Sequence, residues 1–205
     1  MDADELIEQA VAALRAGEPV LLPTDTVYGL CAAVDSEAPT RNLYRLKGRS
    51  DAQPSQLIAA SLDGLYDALP ELRGEAGDVA RALLPGPYTL VLPNPARRFR
   101  WVNGTRMDTI GVRVPNLPEA SRRVIAAVGA VVATSANDPG GTSPTTLEDV
   151  PARIRAGCGA EIDAGSLPGT PSTVLDLTRP EPFVIREGAV PAVEALARVR
   201  SALAQ

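Results

Sequence analysis

An α/β domain is predicted for this chain by three observations. Short apolar runs alternate with segments of helical period along its length, aromatic residues make up only 3% of it, and its polar loops fall where the strand candidates end. With 205 residues and 45% hydrophobic content it can bury one sizeable core, so a single domain over 1–205 is expected. A core so poor in aromatics must be built from Val, Leu, Ile and Ala, which suits buried strands better than aromatic-rich hairpins.

The elements follow in order. Asp2 and Glu5 have the spacing of a capping box, and Leu6, Ile7, Ala10, Val11 and Leu14 then share one face, predicting an amphipathic helix that stops at Gly17. Pro19–Leu22 reads as a buried strand entering the polar loop Pro23-Thr24-Asp25-Thr26, and 40–47 reads as a helix ended by Gly48. Next come a strand at Leu57–Ala60, a helix near Asp78–Leu84, strands at Tyr88–Leu92 and Ile110–Val114, a helix over Glu119–Val128 and a strand at Ala130–Ala133. A Gly/Pro/Ser/Thr-rich loop fills Ser135–Thr146. A helix near Leu147–Ala156, strands at Val174–Leu177 and Phe183–Arg186 and a closing helix over Ala192–Leu203 complete the pattern. Ligands are expected where loops leave strand ends.

Composition narrows the function. Twenty Lys and Arg against 25 Asp and Glu leave a net charge of −5, so the chain as a whole does not attract a nucleic-acid backbone. It has no His and two distant cysteines, Cys31 and Cys158, which sets aside a structural zinc site and leaves both as small buried hydrophobes. An acidic N-terminus and the lack of an apolar run near the roughly 18 residues of a membrane span point to the cytoplasm.

Three polar segments carry candidate chemistry. In Pro23–Leu30 two Thr hydroxyls and Tyr28 surround Asp25, an arrangement that also suits a simple capped turn. Lys47-Gly48-Arg49 closes a helix, where a cation offsets the helix dipole; Arg49 could equally grip a carboxylate or phosphate bidentately while Lys47 serves as a mobile point charge. Thr134–Thr145 is dense in hydroxyls and glycine, either a plain surface loop or an anion cradle, and it lacks the GK[ST] ending of a P-loop. Arg113 interrupts an apolar strand, facing outward or meeting a ligand, and Arg186 ends another beside Glu187, with which it could form a surface pair.

In this order the segments PTDTVYGL (23–30), KGR (47–49), LPGPYTLVL (84–92), TIGVRVP (109–115), TSAN with GGTSPT (134–145), PSTVLDL (171–177) and IREG (185–188) closely resemble the YrdC-type family of threonylcarbamoyl-AMP synthases. The resemblance implies a twisted, mostly open mixed sheet flanked by helices, with a concave, positively charged ligand pocket. It also implies synthesis of threonylcarbamoyl-AMP and pyrophosphate from L-threonine, bicarbonate or CO2 and ATP with Mg²⁺, for threonylcarbamoyladenosine modification of tRNA. Lys47, Arg49, Ser135 and Asn137 would form the catalytic cluster at the nucleotide phosphates, and Thr109, Ser143 and Arg186 would complete the ATP site. Thr24, Thr26, Tyr28, Arg113 and Ser172 would bind threonine, with Val27 and Val174 as candidates for its methyl group. Mg²⁺ would be held through the ATP phosphates rather than by protein ligands.

The stretch 50–58 departs from a common family form, in which Pro follows the Arg and a His comes later, so a His contact to threonine is absent. The chain looks like the short form, without an additional C-terminal domain. Expected partners are the downstream tRNA threonylcarbamoyl-transfer proteins. Two other readings are an RNA-binding or ribosome-maturation protein, for which Arg97, Arg98, Arg100 and Trp101 supply a local basic run, and a carbamoyl-adenylate-handling module.

Overall fold

The computed structural model describes residues 2–74 and 76–204. Among these, α1 (Ala3–Arg15), α2 (Glu37–Lys47), α3 (Leu62–Ala68), α4 (Ala76–Leu83), α5 (Glu119–Val128), α6 (Ala152–Ala156) and α7 (Ala192–Leu203) flank one mixed sheet. Its strands are β1 (Val20–Pro23), β2 (Tyr28–Ala33), β3 (Gln56–Ala59), β4 (Tyr88–Pro93), β5 (Thr109–Arg113), β6 (Ala130–Ser135), β7 (Ala160–Glu161), β8 (Thr173–Asp176) and β9 (Phe183–Arg186). They lie in the order β7-β1-β2-β6-β3-β5-β4-β8-β9, twisted and mostly open.

Local chemistry sets most boundaries. Asp2 and Glu5 close the capping box at α1, each side chain accepting from the other residue's N–H. Gly48 ends α2 in the left-handed conformation at φ 71°, which turns Arg49 back toward the sheet. Three departures from the pattern have identifiable causes. β2 reads as loop in the sequence because it continues straight from the polar turn at 23–26, carries Gly29 in its interior and has no β-branched residue to mark it. The helix expected over 147–156 is only Ala152–Ala156: Thr145 and Thr146 wrap the Asp149 carboxylate in a turn, and Pro151 disfavours helical backbone at the residue before it. Short α3, started by Ser61 accepting from Gly64 N–H, and two-residue β7 escape the periodicity altogether.

The two sheet faces are dressed differently. One packs Leu21, Leu30, Leu57, Leu90 and Val112 against α2, α3, α4 and α7 in the larger core. On the other, Ile7, Ala10 and Leu14 of α1 and Val124 and Ile125 of α5 cover Leu22, Cys31, Ile58 and Val131, which belong to β1, β2, β3 and β6. No helix follows across β5, β4 and β8 on that second face among the described residues, and the uncovered part is a cavity.

Candidate active site

The cavity has a volume of about 300 Å³, and guanidinium, hydroxyl and amide groups reach it from strand ends and loops on every side. Arg49, Arg106, Arg113 and Arg186 all line it, and no Asp or Glu does among the described residues. Such a wall selects for anions. A larger groove of about 1,050 Å³ lies at the opposite end of the sheet between the ends of α1, α2, α3 and α5, but Asp35, Asp63 and Asp67 line it and make it the poorer anion site.

At one end of the cavity, the KGR and SAN segments meet, with their roles divided. Lys47 is buried and its ammonium donates to Ser135 O (2.5 Å), Asn137 O (2.6 Å) and Asn137 Oδ1 (3.1 Å). Burial, reinforced by Arg49 and Arg153 and opposed by Asp138, pulls its pKa from 10.5 down to about 8. Its three donors are consumed, so it is an anchored charge rather than the mobile one expected from the sequence. Asn137 is equally committed: its Oδ1 accepts from Lys47 and from Ser135 Oγ, and its Nδ2 donates to Asp138 O (2.9 Å) and Gly141 O (2.6 Å). Neither Lys47 nor Asn137 lines the cavity; they fasten the 135–141 loop from behind.

Arg49 and Ser135 face inward. The Arg49 guanidinium donates to Pro54 O (2.5 Å) and Thr134 Oγ1 (3.3 Å) and keeps a buried Nε without a partner; desolvation lowers its pKa. Thr109 and Ser143 also reach the wall on this side.

Toward the other end, Arg113 is 3% exposed and is an inward residue, which decides between the two orientations left open by its sequence. It pairs with Asp25, donates to Thr26 Oγ1 (2.9 Å) and has an unpartnered Nε. Desolvation lowers the Arg113 pKa and raises that of Asp25, each opposed by the charge of the other. Thr26 and Ser172 line the cavity beside it, and Val27 and Val174 add apolar wall.

Thr24 and Tyr28 do not reach it. Thr24 Oγ1 donates to Val27 O (2.7 Å) and accepts from the N–H groups of Thr26 and Val27, so it staples the β1–β2 turn that presents Thr26. The Tyr28 hydroxyl lies on the far side of the strand between Asp163 Oδ1 and Gly165 O, both at 2.8 Å. Its alternation along β2 opposes it to the cavity face.

Arg186 bends inward rather than pairing with Glu187, donating to Ser172 O (2.8 Å), while Glu187 caps Ala192 N–H. Gly188 is needed there, since a Cβ would lie 2.2 Å from Pro171 O. Gln56, Thr89 and Arg106 also line the cavity but were not singled out from the sequence. Thr89 sits inside the LPGPYTLVL segment; Arg106 belongs to no motif and is placed by its ion pair with Asp176. The basic run near Trp101 is not a stacking platform: Arg98 pairs with Glu71, and the indole donates to Val34 O and meets Phe99 edge-on.

A family model for Sua5, YciO and YrdC, described as telomere recombination, matches residues 12–188. The chain belongs to this family. It is 40% identical over 183 residues to a protein of Halorhodospira halophila named threonylcarbamoyl-AMP synthase, covering 89% of this chain and 90% of that one. To the protein of the same name from Pyrococcus abyssi it is 34% identical over 189 residues, 92% of this chain and 55% of the other. The crystal structure of P. abyssi Sua5 complexed with L-threonine matches with a TM-score of 0.83 at 33% identity, over 97% of this chain and 58% of that one. The chain therefore spans little more than half the length of the Pyrococcus protein. The expected Sua5/YrdC architecture is the one observed, including the open sheet.

Proposed function

We propose that this Sua5/YrdC chain is an L-threonylcarbamoyl-AMP synthase, a nucleotidyltransferase supplying the activated group for threonylcarbamoyladenosine in tRNA. The observation that carries the reading is the arginine-lined cavity open to one side of the sheet, which no carboxylate lines among the described residues, in a family whose members are named for this activity. Arg113, with Thr26 and Ser172, takes the threonine carboxylate; Arg49, Ser135, Thr109, Ser143 and Arg186 take the nucleotide.

The threonine amine attacks bicarbonate or CO2 to form a carbamate, with loss of water in the bicarbonate case. A carbamate oxygen then attacks the ATP α-phosphorus, an oxygen–phosphorus bond forms, and pyrophosphate leaves with the electron pair. The main barrier is repulsion between two anions, which the guanidiniums neutralise while the Lys47-anchored loop holds Ser135 in place. No side-chain nucleophile is called for. Among the described residues no cluster of three or more His, Cys, Asp or Glu could hold a metal, and the wall lacks carboxylates, so Mg²⁺ would enter on the triphosphate and supply charge neutralisation.

The test is pyrophosphate release by purified protein with ATP, Mg²⁺, bicarbonate and each amino acid in turn. Release that depends on threonine is expected, with serine second by a factor set by one methyl, roughly 1–3 kcal/mol. Release indifferent to threonine would refute the assignment.

A further inference from the structure

The cavity floor contains a polar group that the division into nucleotide and amino-acid ends leaves unused. Gln56 of β3 is paired with Ala133 of β6 on one side and Gly111 of β5 on the other, and Gly111 with Val91 of β4. This row crosses the middle of the floor. Two residues along the same strands toward one end lie Ser135 and Thr109, and two residues the other way lies Arg113. Ala133 and Gly111 rise little or not at all above the sheet, so the Gln56 carboxamide stands clear between the two ends.

Its orientation is set by a chain of hydrogen bonds with one direction. Arg186 Nη2 donates to Ser172 O (2.8 Å) and approaches Ser172 Oγ at 3.4 Å, which turns the Ser172 proton away toward Thr89 Oγ1 at 2.8 Å. Thr89 in turn donates to Gln56 Oε1 at 2.6 Å. With its oxygen occupied, the amide offers the two N–H groups of Nε2, which no hydrogen bond among the described residues uses. The surrounding wall, four guanidiniums and, among the described residues, no carboxylate, favours a negatively charged oxygen opposite those donors.

We propose that Gln56 Nε2 is the binding group for the one-carbon unit: it donates to an oxygen of the incoming bicarbonate and then of the carbamate, at the junction of the amino-acid and nucleotide ends. Thr89 is a positioning residue that fixes the amide rotamer. This rests on the synthase reading. Pyrophosphate release is measured for wild type, Gln56→Leu, the near-isosteric Gln56→Glu and Thr89→Val, with bicarbonate, threonine and ATP varied separately. The threonine dissociation constant is measured calorimetrically without ATP or bicarbonate.

Gln56→Leu should raise the KM for bicarbonate about tenfold with threonine affinity unchanged. Gln56→Glu, which sets a carboxylate against the anion, should raise it further. Thr89→Val should raise it by roughly half as much on a logarithmic scale. An unchanged bicarbonate KM in both Gln56 variants overturns the proposal, as does threonine affinity falling in step, which would place the contact on the amino acid. A wild type that releases no pyrophosphate with threonine refutes the synthase reading itself, whereas an active wild type with unmoved variants refutes only the role of Gln56.

Discussion

Beneath α1 and α5 one face of the sheet is packed with Leu22, Cys31, Ile58 and Val131; beyond β3 the same face carries Gly111, Arg113, Thr89 and Val174 and stays open. The strands are alike in length and hydrogen bonding. What separates the halves is whether a helix lies overhead. Covered, a position must be apolar; uncovered, it can hold a guanidinium whose desolvation is offset by Asp25. Burial also explains Cys31, whose thiol is pushed up to about 12 and is inert under the helices.

If the two halves are energetically separate, substitutions should divide cleanly between activity and stability. Arg49→Ala in the open half should lower pyrophosphate release by about 10²- to 10³-fold, with a melting temperature within a few degrees of wild type. Leu14→Ala, on the buried stripe of α1 over the covered half, should do the reverse: a stability loss of about 2–5 kcal/mol in urea titration, with KM values unchanged. A shift in KM there would mean that the covered half shapes the cavity. Arg113→Lys should raise the threonine KM about tenfold, because a compact ammonium on a flexible stem cannot reproduce the planar fork that meets Asp25 and Thr26 while gripping a carboxylate bidentately.

Lys47 sharpens the comparison through pH, because it is buried but serves the open half. Folded, it gives up its proton near pH 8; unfolded, it keeps it to 10.5. The unfolded chain thus binds more protons in this window, and the Lys47 contribution to folding stability rises as pH goes from about 8 to 10.5. Activity should move the opposite way: the neutral amine holds Ser135 and Asn137 less firmly, so pyrophosphate release should fall above about pH 8. Lys47→Met should lack that descending limb. The smallest effect is expected at Tyr28. Tyr28→Phe removes its bonds to Asp163 and Gly165, costing about 1 kcal/mol with threonine KM unchanged; a raised KM would put Tyr28 back in the amino-acid site.

Much of this was legible in the sequence. Capping chemistry and 3.6-residue periodicity located α1, α5 and α7, because a long amphipathic helix announces its buried stripe locally. Ordered motifs identified the family and brought forward Arg49, Arg113, Ser135, Ser172 and Arg186, all of which line one cavity. β2 was hidden because its glycine and its lack of β-branched residues merge it with the polar turn before it.

The direction of each polar side chain was another matter. Thr24 and Thr26 are two residues apart in one motif, yet one staples the turn and the other faces the cavity; Lys47 and Arg49 flank one glycine, yet only the second reaches inward. Local spacing does not distinguish them: Thr24 is held by Val27 within the turn, whereas Thr26 meets Arg113 and Lys47 meets Ser135 and Asn137, all far along the chain. The sequence by itself determined the elements, the family and the set of residues with suitable chemistry, all of which depend on local spacing. Which of those residues face the cavity, and that Gln56 stands at its centre, were decided only by strand register and by where the helices stop.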